Sequence, residues 1–77
     1  MPAEPANSIQ PKSRAEWRAW LEQHHRQTEG VWVISYKKHT GQPRLEYDDA
    51  VEEALCFGWI DSKANKLDEQ RSMLWFA

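Results

Sequence analysis

The stretch YDDAVEEALCFGWID, residues 47–61, combines an amphipathic helical pattern with a glycine stop and the start of a strand. At about 100° per residue, its apolar side chains fall within one arc of roughly 160°. That arc holds Tyr47, Ala50, Val51, Ala54, Leu55, Phe57 and Gly58, and the opposite side holds Asp48, Asp49, Glu52, Glu53 and Cys56. We therefore predict a helix with a buried apolar arc and a solvated acidic side. Gly58 is expected to end it in the left-handed conformation, and residues 59–62 are expected to form a strand.

A second helix is predicted upstream, beginning at a capping box. Ser13 and Glu16 have the spacing at which the serine hydroxyl accepts from the Glu16 amide and the glutamate reaches back to the Ser13 amide. Apolar or aromatic side chains then recur at i, i+3, i+4 and i+7, namely Trp17, Trp20, Leu21 and His24. We expect this helix to end near residues 27–30, with Gly30 as its stop.

The remaining elements are predicted as strands. Residues 31–38 carry large side chains on both faces, and residues 71–76 form a second apolar run after the polar loop at 63–69. The fold class expected is α+β, in the order α-β-α-β-β, with a small, mainly antiparallel sheet and two packed helices. Three of the four prolines lie in residues 1–12. We therefore expect a flexible N-terminal lead-in over 1–12 and one domain over 13–77.

Composition narrows the functional classes. The chain has 77 residues, five of them tryptophan, and a formal net charge of −2. The tryptophans are expected in the core or in a cleft, and the net charge gives no bulk attraction to nucleic acid or anionic lipid. The single cysteine, the lack of a secretory signal pattern and the lack of a run of about 20 apolar residues predict a cytoplasmic protein that does not span a membrane.

Three sequence blocks carry a family resemblance: GVWVISYKKHTG at 30–41, YDDAVEEALCFGWIDSK at 47–63 and LDEQRSMLWFA at 67–77. Together they resemble the N-terminal portion of the YdeI/OmpD-associated family of bacterial proteins, most specifically in EALCFGWID at 53–61. The resemblance implies a role in bacteriocin protection or antimicrobial-peptide tolerance, and it implies no enzymatic chemistry. Longer members continue beyond the position of Phe76, so this chain is expected to be a short or truncated member or the N-terminal module alone.

The sequence predicts no catalytic residues, metal site or cofactor. Cys56 lies near the negative end of a helix among acidic side chains, which disfavours a thiolate. The adjacent His24 and His25 point about 100° apart on a helix and so rarely share one ion with each other or with His39. The acidic residues at 48–53 are expected to form a solvated helix face.

Ligand-binding candidates lie on the predicted sheet. Trp59, Asp61 and Lys63 alternate along one predicted strand and would therefore share one face. Aromatic neighbours on that face would give a wall for stacking a planar or peptide ligand. The candidate set is Trp32, Tyr36, Lys37, Lys38, Trp59, Asp61, Lys63 and Trp75. We also predict a basic surface, opposite the acidic helix face, that would steer a partner electrostatically. This basic rim would consist of Lys37, Lys38, Arg44, Lys63, Lys66 and Arg71.

The leading functional hypothesis is a small, non-enzymatic binding or interaction domain of the bacteriocin-protection type. Its expected partner is a small ligand or peptide, a protein, or a second copy that pairs through the C-terminal strand. One alternative is an enzyme accessory or weak hydrolase that uses Asp61 with a lysine as acid and base. Another is single-stranded nucleic-acid binding by stacking on Trp32, Trp59 or Trp75, although the net charge disfavours nucleic acid.

Overall fold

The computed structural model describes residues 4–77 and shows an α+β fold with two helices on a four-stranded mixed sheet. The elements are β1 (Ser8–Ile9), α1 (Arg14–His24), β2 (Val31–Tyr36), a 3-10 turn (Lys38–Thr40), α2 (Tyr47–Cys56), β3 (Asp61–Lys66) and β4 (Arg71–Phe76). The strand order is β1-β2-β4-β3, with β1 parallel to β2 and the other pairs antiparallel. The predicted fold class is confirmed, and the added element is β1.

The N-terminal segment joins the sheet, which differs from the flexible lead-in expected over 1–12. Ser8 and Ile9 pair with Trp32 and Val33, and the Trp32 amide donates to the carbonyl of Asn7 at 2.7 Å. Residues 1–3 of that lead-in lie outside the described residues. A strand of two residues is too short to show an alternating pattern in the sequence, so it was not predictable from periodicity. It forms because the edge of β2 offers backbone groups for pairing.

The helix α1 begins as predicted but ends earlier. The Ser13 hydroxyl accepts from the Glu16 amide at 3.2 Å, while the Glu16 carboxylate accepts from the amide of Lys12 rather than that of Ser13. The last helical residue is His24, so Gly30 is not the stop. Instead, a Cβ atom at Gly30 would overlap the Trp75 ring and the Phe76 carbonyl oxygen, which makes close packing the reason for glycine there.

The helix α2 ends as predicted, with Gly58 at a φ of +79°, but its buried face is rotated. Ala50, Glu53 and Ala54 are buried, whereas the side chain of Leu55 is 55% exposed. Tyr47, also expected in the buried arc, is 51% exposed, so the expectation of a solvated Glu53 and of a buried Leu55 and Tyr47 is wrong. The physical reason is pairing with α1, because Arg14 and Arg18 both bind the Glu53 carboxylate and draw it into the interface between the helices.

The core lies between the two helices and one face of the sheet. Its largest fully buried side chains are Trp17, Phe76 and Leu21, whereas the equally buried Ile34 lies on the opposite face of the sheet, paired with Met73. The Trp17 indole donates to the Ala50 carbonyl at 2.9 Å, which ties α1 to α2. Tryptophan thus supplies apolar area and a satisfied polar group at the same position.

The strand β4 lies inside the sheet, between β2 and β3. Both of its edges are paired, so the expected association of two copies through the C-terminal strand would require opening the sheet. Among the described residues, the unpaired edges are those of β1, of β3 and of the part of β2 that continues beyond β1. Within residues 4–77, no helix has the length and apolar content needed to cross a membrane.

Candidate functional site

An irregularity in β3 separates the predicted ligand-binding residues. Asp61 pairs with Phe76 and Lys63 pairs with Trp75, so the register shifts between the two residues. A β-bulge of this kind inserts one residue and breaks the alternation of side chains. Asp61 therefore lies with Phe76 on the face that carries the helices, while Lys63 lies with Trp75 on the opposite face. The expectation that they share a face is wrong.

The carboxylate of Asp61 is engaged with α2. The Tyr47 hydroxyl donates to Asp61 at 2.9 Å, and this bond together with the nearby negative charge raises the pKa of Tyr47. Both side chains are at the surface beside the start of β3. This pair joins the helix to the strand, and no lysine within residues 4–77 forms an ion pair with Asp61 that could serve in acid–base chemistry.

Trp59 lies in the core and not on a sheet face. It precedes β3, is 5% exposed, and donates its indole N–H to the His25 carbonyl at 2.8 Å. Its ring meets Trp20 edge-on at a centroid distance of 5.9 Å. Trp59 therefore contributes to packing behind α1 and is not available for stacking a ligand.

Trp32, Trp75 and Lys63 do come together, on the face away from the helices. The two indole rings lie 5.3 Å apart with an interplanar angle of 59°, and the three side chains line a shallow cavity of about 230 Å³. Tyr36 belongs to the same face, opposite Arg71. We call Trp32, Lys63 and Trp75 the aromatic cluster; it keeps part of the predicted wall without Trp59 or Asp61.

Part of that face is covered by the N-terminal segment. Arg71 donates to the carboxylate of Glu4 at 2.8 Å and to the Gln10 amide oxygen at 3.2 Å, and it also bonds Asp68. The Arg71 guanidinium is therefore already paired with carboxylates of the protein. The basic rim considered from the sequence does not form as one surface, because Arg71 and Lys63 lie apart from the remaining basic residues on the helix side.

A larger cavity, of about 340 Å³, lies where α2 begins above the helix side of the sheet. We call it the α2 cavity. Its apolar wall is built by strand and helix residues together, while polar side chains stand around it. The lining residues are Val33, Ser35, Lys37, Arg44, Leu45, Tyr47, Ala50, Ala64, Asn65, Lys66, Ser72, Met73 and Leu74. Of the predicted ligand-binding residues, this cavity contains Lys37; Lys38 is exposed in the following 3-10 turn.

The α2 cavity is cationic. Its lining residues include Lys37, Arg44 and Lys66 and contain no aspartate or glutamate. Lys66 is paired with Glu69 outside the lining at 3.0 Å, and this ion pair lowers the pKa of Glu69. The local positive charge contrasts with the formal net charge of −2 for the whole chain.

Arg44 is the lining cation that has a buried donor without a partner among residues 4–77. Its side chain is 22% exposed, and its closest carboxylate contact is Glu46, with Nη2 3.8 Å from the oxygen. The Nε atom is buried and has no hydrogen-bond partner among the residues described. A buried N–H donor without an acceptor is unfavourable, so this atom provides a place for an oxygen of a ligand.

Local sequence positions Arg44 for this role. Leu45, which follows it, is 3% exposed and packs in the same core as Ala50 of α2, the pair of positions that a hydrophobic staple joins. The Leu45 carbonyl also accepts from the Ser35 hydroxyl at 3.2 Å, which fixes the connection against β2. The chain is thus anchored to both α2 and β2 at Leu45, directly after Arg44.

The other titratable groups belong to the structure rather than to a ligand site. The pKa of Glu53 is lowered to about 2, because Arg18 and Arg14 donate hydrogen bonds to its carboxylate. Cys56 is free and exposed. The Nδ1 atoms of His24 and His25 bond the carbonyl oxygens of Trp20 and Leu21. Over residues 4–77, no three metal-ligating side chains come together.

Sequence reasoning found the basic residues of the α2 cavity but not the cavity. The sequence predicts a basic rim that includes Lys37, Arg44 and Lys66 because of their charge. It does not mark Arg44 as a ligand-binding candidate. One feature of the sequence indicates the cavity: Lys37 follows β2 and Lys66 ends β3. Because β2 and β3 both pair with β4, the C-terminal ends of these two strands lie near each other. Recognising it requires the hairpin register, which the bulge alters.

Comparison with known proteins places most of the chain in a family. The family model described as "Domain of unknown function (DUF8412)" matches residues 9–77. No curated protein and no solved structure matches the chain.

Proposed function

This chain belongs to the DUF8412 family, and we propose that it is a non-enzymatic binding domain that holds a small ligand in the α2 cavity. The observation that carries the proposal is the cavity itself, which joins an apolar wall to the incompletely paired Arg44. Small-molecule sites are usually concave and mostly apolar, with a few polar groups that fix orientation. At about 340 Å³ the cavity is at the lower end of their size range of roughly 300–1,000 Å³.

Binding is favoured over catalysis because of how the charged groups are arranged. The hydrolase alternative needs Asp61 beside a lysine, but Asp61 accepts from Tyr47 and the bulge directs Lys63 to the other face. The α2 cavity offers cations and hydroxyl groups and has no carboxylate in its lining that could serve as a general base. Such a lining can orient a bound molecule, which is the property a binding domain requires.

The biological setting that we propose comes from the resemblance to YdeI/OmpD-associated proteins. We propose that the domain acts in the cytoplasm in bacteriocin protection or antimicrobial-peptide tolerance. The α2 cavity is too small for a folded partner, so in this setting the domain would sense or hold a small molecule.

A second candidate function is stacking of a planar group on the aromatic cluster. Trp32 and Trp75 are partly exposed, and Lys63 adds a positive charge beside them. Stacking of a nucleobase on an aromatic ring contributes about 1–3 kcal/mol. Only two of the three tryptophans considered for this role are available, because Trp59 is in the core.

The proposal is tested by filling the α2 cavity with a side chain. Ala64 is exposed on β3 and lines the cavity, so Ala64→Phe should occupy ligand volume without disturbing the core. Benzoate, octanoate, benzamide and benzylamine are each titrated into isotopically labelled protein and followed by ¹H–¹⁵N correlation spectra. We expect at least one of them to shift the amides of Val33, Leu45 and Leu74, and we expect Ala64→Phe to weaken that binding about tenfold or more.

The matched control is Ala19→Phe, the same substitution at an exposed position of α1 away from the cavity. It should bind as the unmodified chain does. The proposal fails if none of the four compounds shifts the cavity amides, or if both variants bind with unchanged affinity.

A further inference from the structure

We infer that the ligand of the α2 cavity is a small monocarboxylate with a compact apolar body, held by its carboxylate on Arg44. This inference rests on the proposed binding function and adds the chemical class of the ligand. It follows from three properties of the cavity: the sign of its charge, the state of Arg44, and the walls around it.

The charge of the lining selects an anion. Three basic side chains and no acidic ones line the cavity, and of these Lys66 already has Glu69 at 3.0 Å. Arg44 has only the long 3.8 Å contact with Glu46. A cationic ligand would meet repulsion, and a neutral ligand could accept a hydrogen bond from Arg44 but would not compensate its charge. An anion complements the site.

The state of Arg44 selects the head group. A guanidinium has five N–H donors in a fixed planar arrangement, and the Nε donor of Arg44 is buried without an acceptor among residues 4–77. A carboxylate presents two oxygens that can accept in parallel from Nε and a terminal nitrogen of arginine. Binding would therefore satisfy the one buried side-chain atom that lacks a partner within the described chain.

The apolar lining of the α2 cavity indicates the chemistry of the ligand beyond its carboxylate. Val33, Leu45, Ala50 and Leu74 provide apolar surface, and the volume of about 340 Å³ has room for a carboxylate that carries an aryl or alkyl group. Asp48 follows the cavity residue Tyr47 in the first turn of α2, and the Glu46 carboxylate lies 3.8 Å from Arg44. Their negative charge opposes a dianion such as a phosphate monoester more strongly than a monoanion.

The experiment compares ligands that share a ring and differ in charge: benzoate, benzamide, benzylamine and phenyl phosphate. Each is titrated into the whole chain, the Arg44→Gln and Arg44→Lys variants, and the control Arg26→Gln, which changes an exposed arginine outside the cavity. We expect benzoate to bind about tenfold or more tightly than benzamide. Arg44→Gln should lower benzoate affinity by about tenfold and leave benzamide unchanged, and Arg44→Lys should retain an intermediate affinity because the charge remains and the fork is lost.

Several outcomes would overturn this inference. Equal binding of benzamide or benzylamine, or tighter binding of phenyl phosphate, would leave the binding function standing and show that the ligand class is wrong. Unchanged benzoate affinity in Arg44→Gln would show that Arg44 does not hold the carboxylate. Absence of binding by all four compounds would remove the proposed function together with the inference. A dispersed correlation spectrum of each variant, closely matching that of the unmodified chain, establishes that it is folded.

Discussion

At the scale of single residues, Glu53 stabilises the packing of α1 against α2, although its place in an acidic segment indicates a solvated side chain. It is 2% exposed and accepts from both Arg14 and Arg18, while Arg14 also contacts Asp49 and Glu52. Removing one partner of a buried ion pair leaves charge and hydrogen-bond donors uncompensated. Because the two guanidinium groups remain partly open to water, the loss is smaller than for a fully enclosed pair.

We predict that Glu53→Gln lowers the free energy of unfolding by about 2–3 kcal/mol, measured by urea denaturation at neutral pH. Glu52→Gln is the control, since that side chain is 61% exposed and its pairing with Arg14 is a surface interaction worth about 0–1 kcal/mol. Equal losses in the two variants would contradict the structural role assigned to Glu53.

The same carboxylate sets a pH dependence with a definite sign. Its pKa is lowered from 4.5 in the unfolded reference to about 2 in the fold, so the unfolded state binds the proton more readily. The stabilisation from Glu53 should be complete above about pH 4.5, decline as the pH falls, and be lost as it passes through about 2. The stability difference between the unmodified chain and Glu53→Gln should narrow over that interval; a constant difference would contradict the lowered pKa.

At the scale of elements, the close approach of Gly30 to β4 can be tested by a single substitution. A Cβ atom at position 30 would overlap the Trp75 ring and the backbone carbonyl of Phe76, and the backbone cannot give way as a flexible side chain can. We predict that Gly30→Ala destabilises the chain by about 1–3 kcal/mol, the range typical of overpacking. Thermal unfolding would show it as a drop of about 4–8 °C per kcal/mol, with the exposed Thr28→Ala nearly neutral. An unchanged midpoint for Gly30→Ala would rule out this packing.

The elements also show how far local sequence signals reach. The span of β4, Arg71–Phe76, and the glycine stop of α2 follow from short-range pattern and agree with the prediction. The strand expected at 59–62 lies later, at Asp61–Lys66, because pairing with β4 and the bulge decide where the ladder begins. The rotation of α2 depends on Arg14 and Arg18, which are 39 and 35 residues away from Glu53. Such long-range partners cannot be read from the period of one helix.

At the scale of the whole molecule, the two faces of the sheet serve different purposes. The helix side holds the core and, at the end of the sheet near the start of α2, the α2 cavity with Arg44. The opposite side holds the aromatic cluster and receives the N-terminal segment through Arg71. The sequence indicated that aromatic and basic groups would gather on the sheet. It could not show that Asp61 and Lys63 lie on different faces, because the residue inserted between them in β3 determines that separation.

Intermolecular nuclear Overhauser effects would locate a bound carboxylate on the molecule directly. With benzoate bound to the labelled chain, we expect contacts from the ligand ring protons to the methyl groups of Val33, Leu45 and Leu74. We expect none to the indole protons of Trp32 and Trp75. Contacts confined to those two indoles would place the ligand on the aromatic cluster and contradict the assignment of the α2 cavity as the binding site.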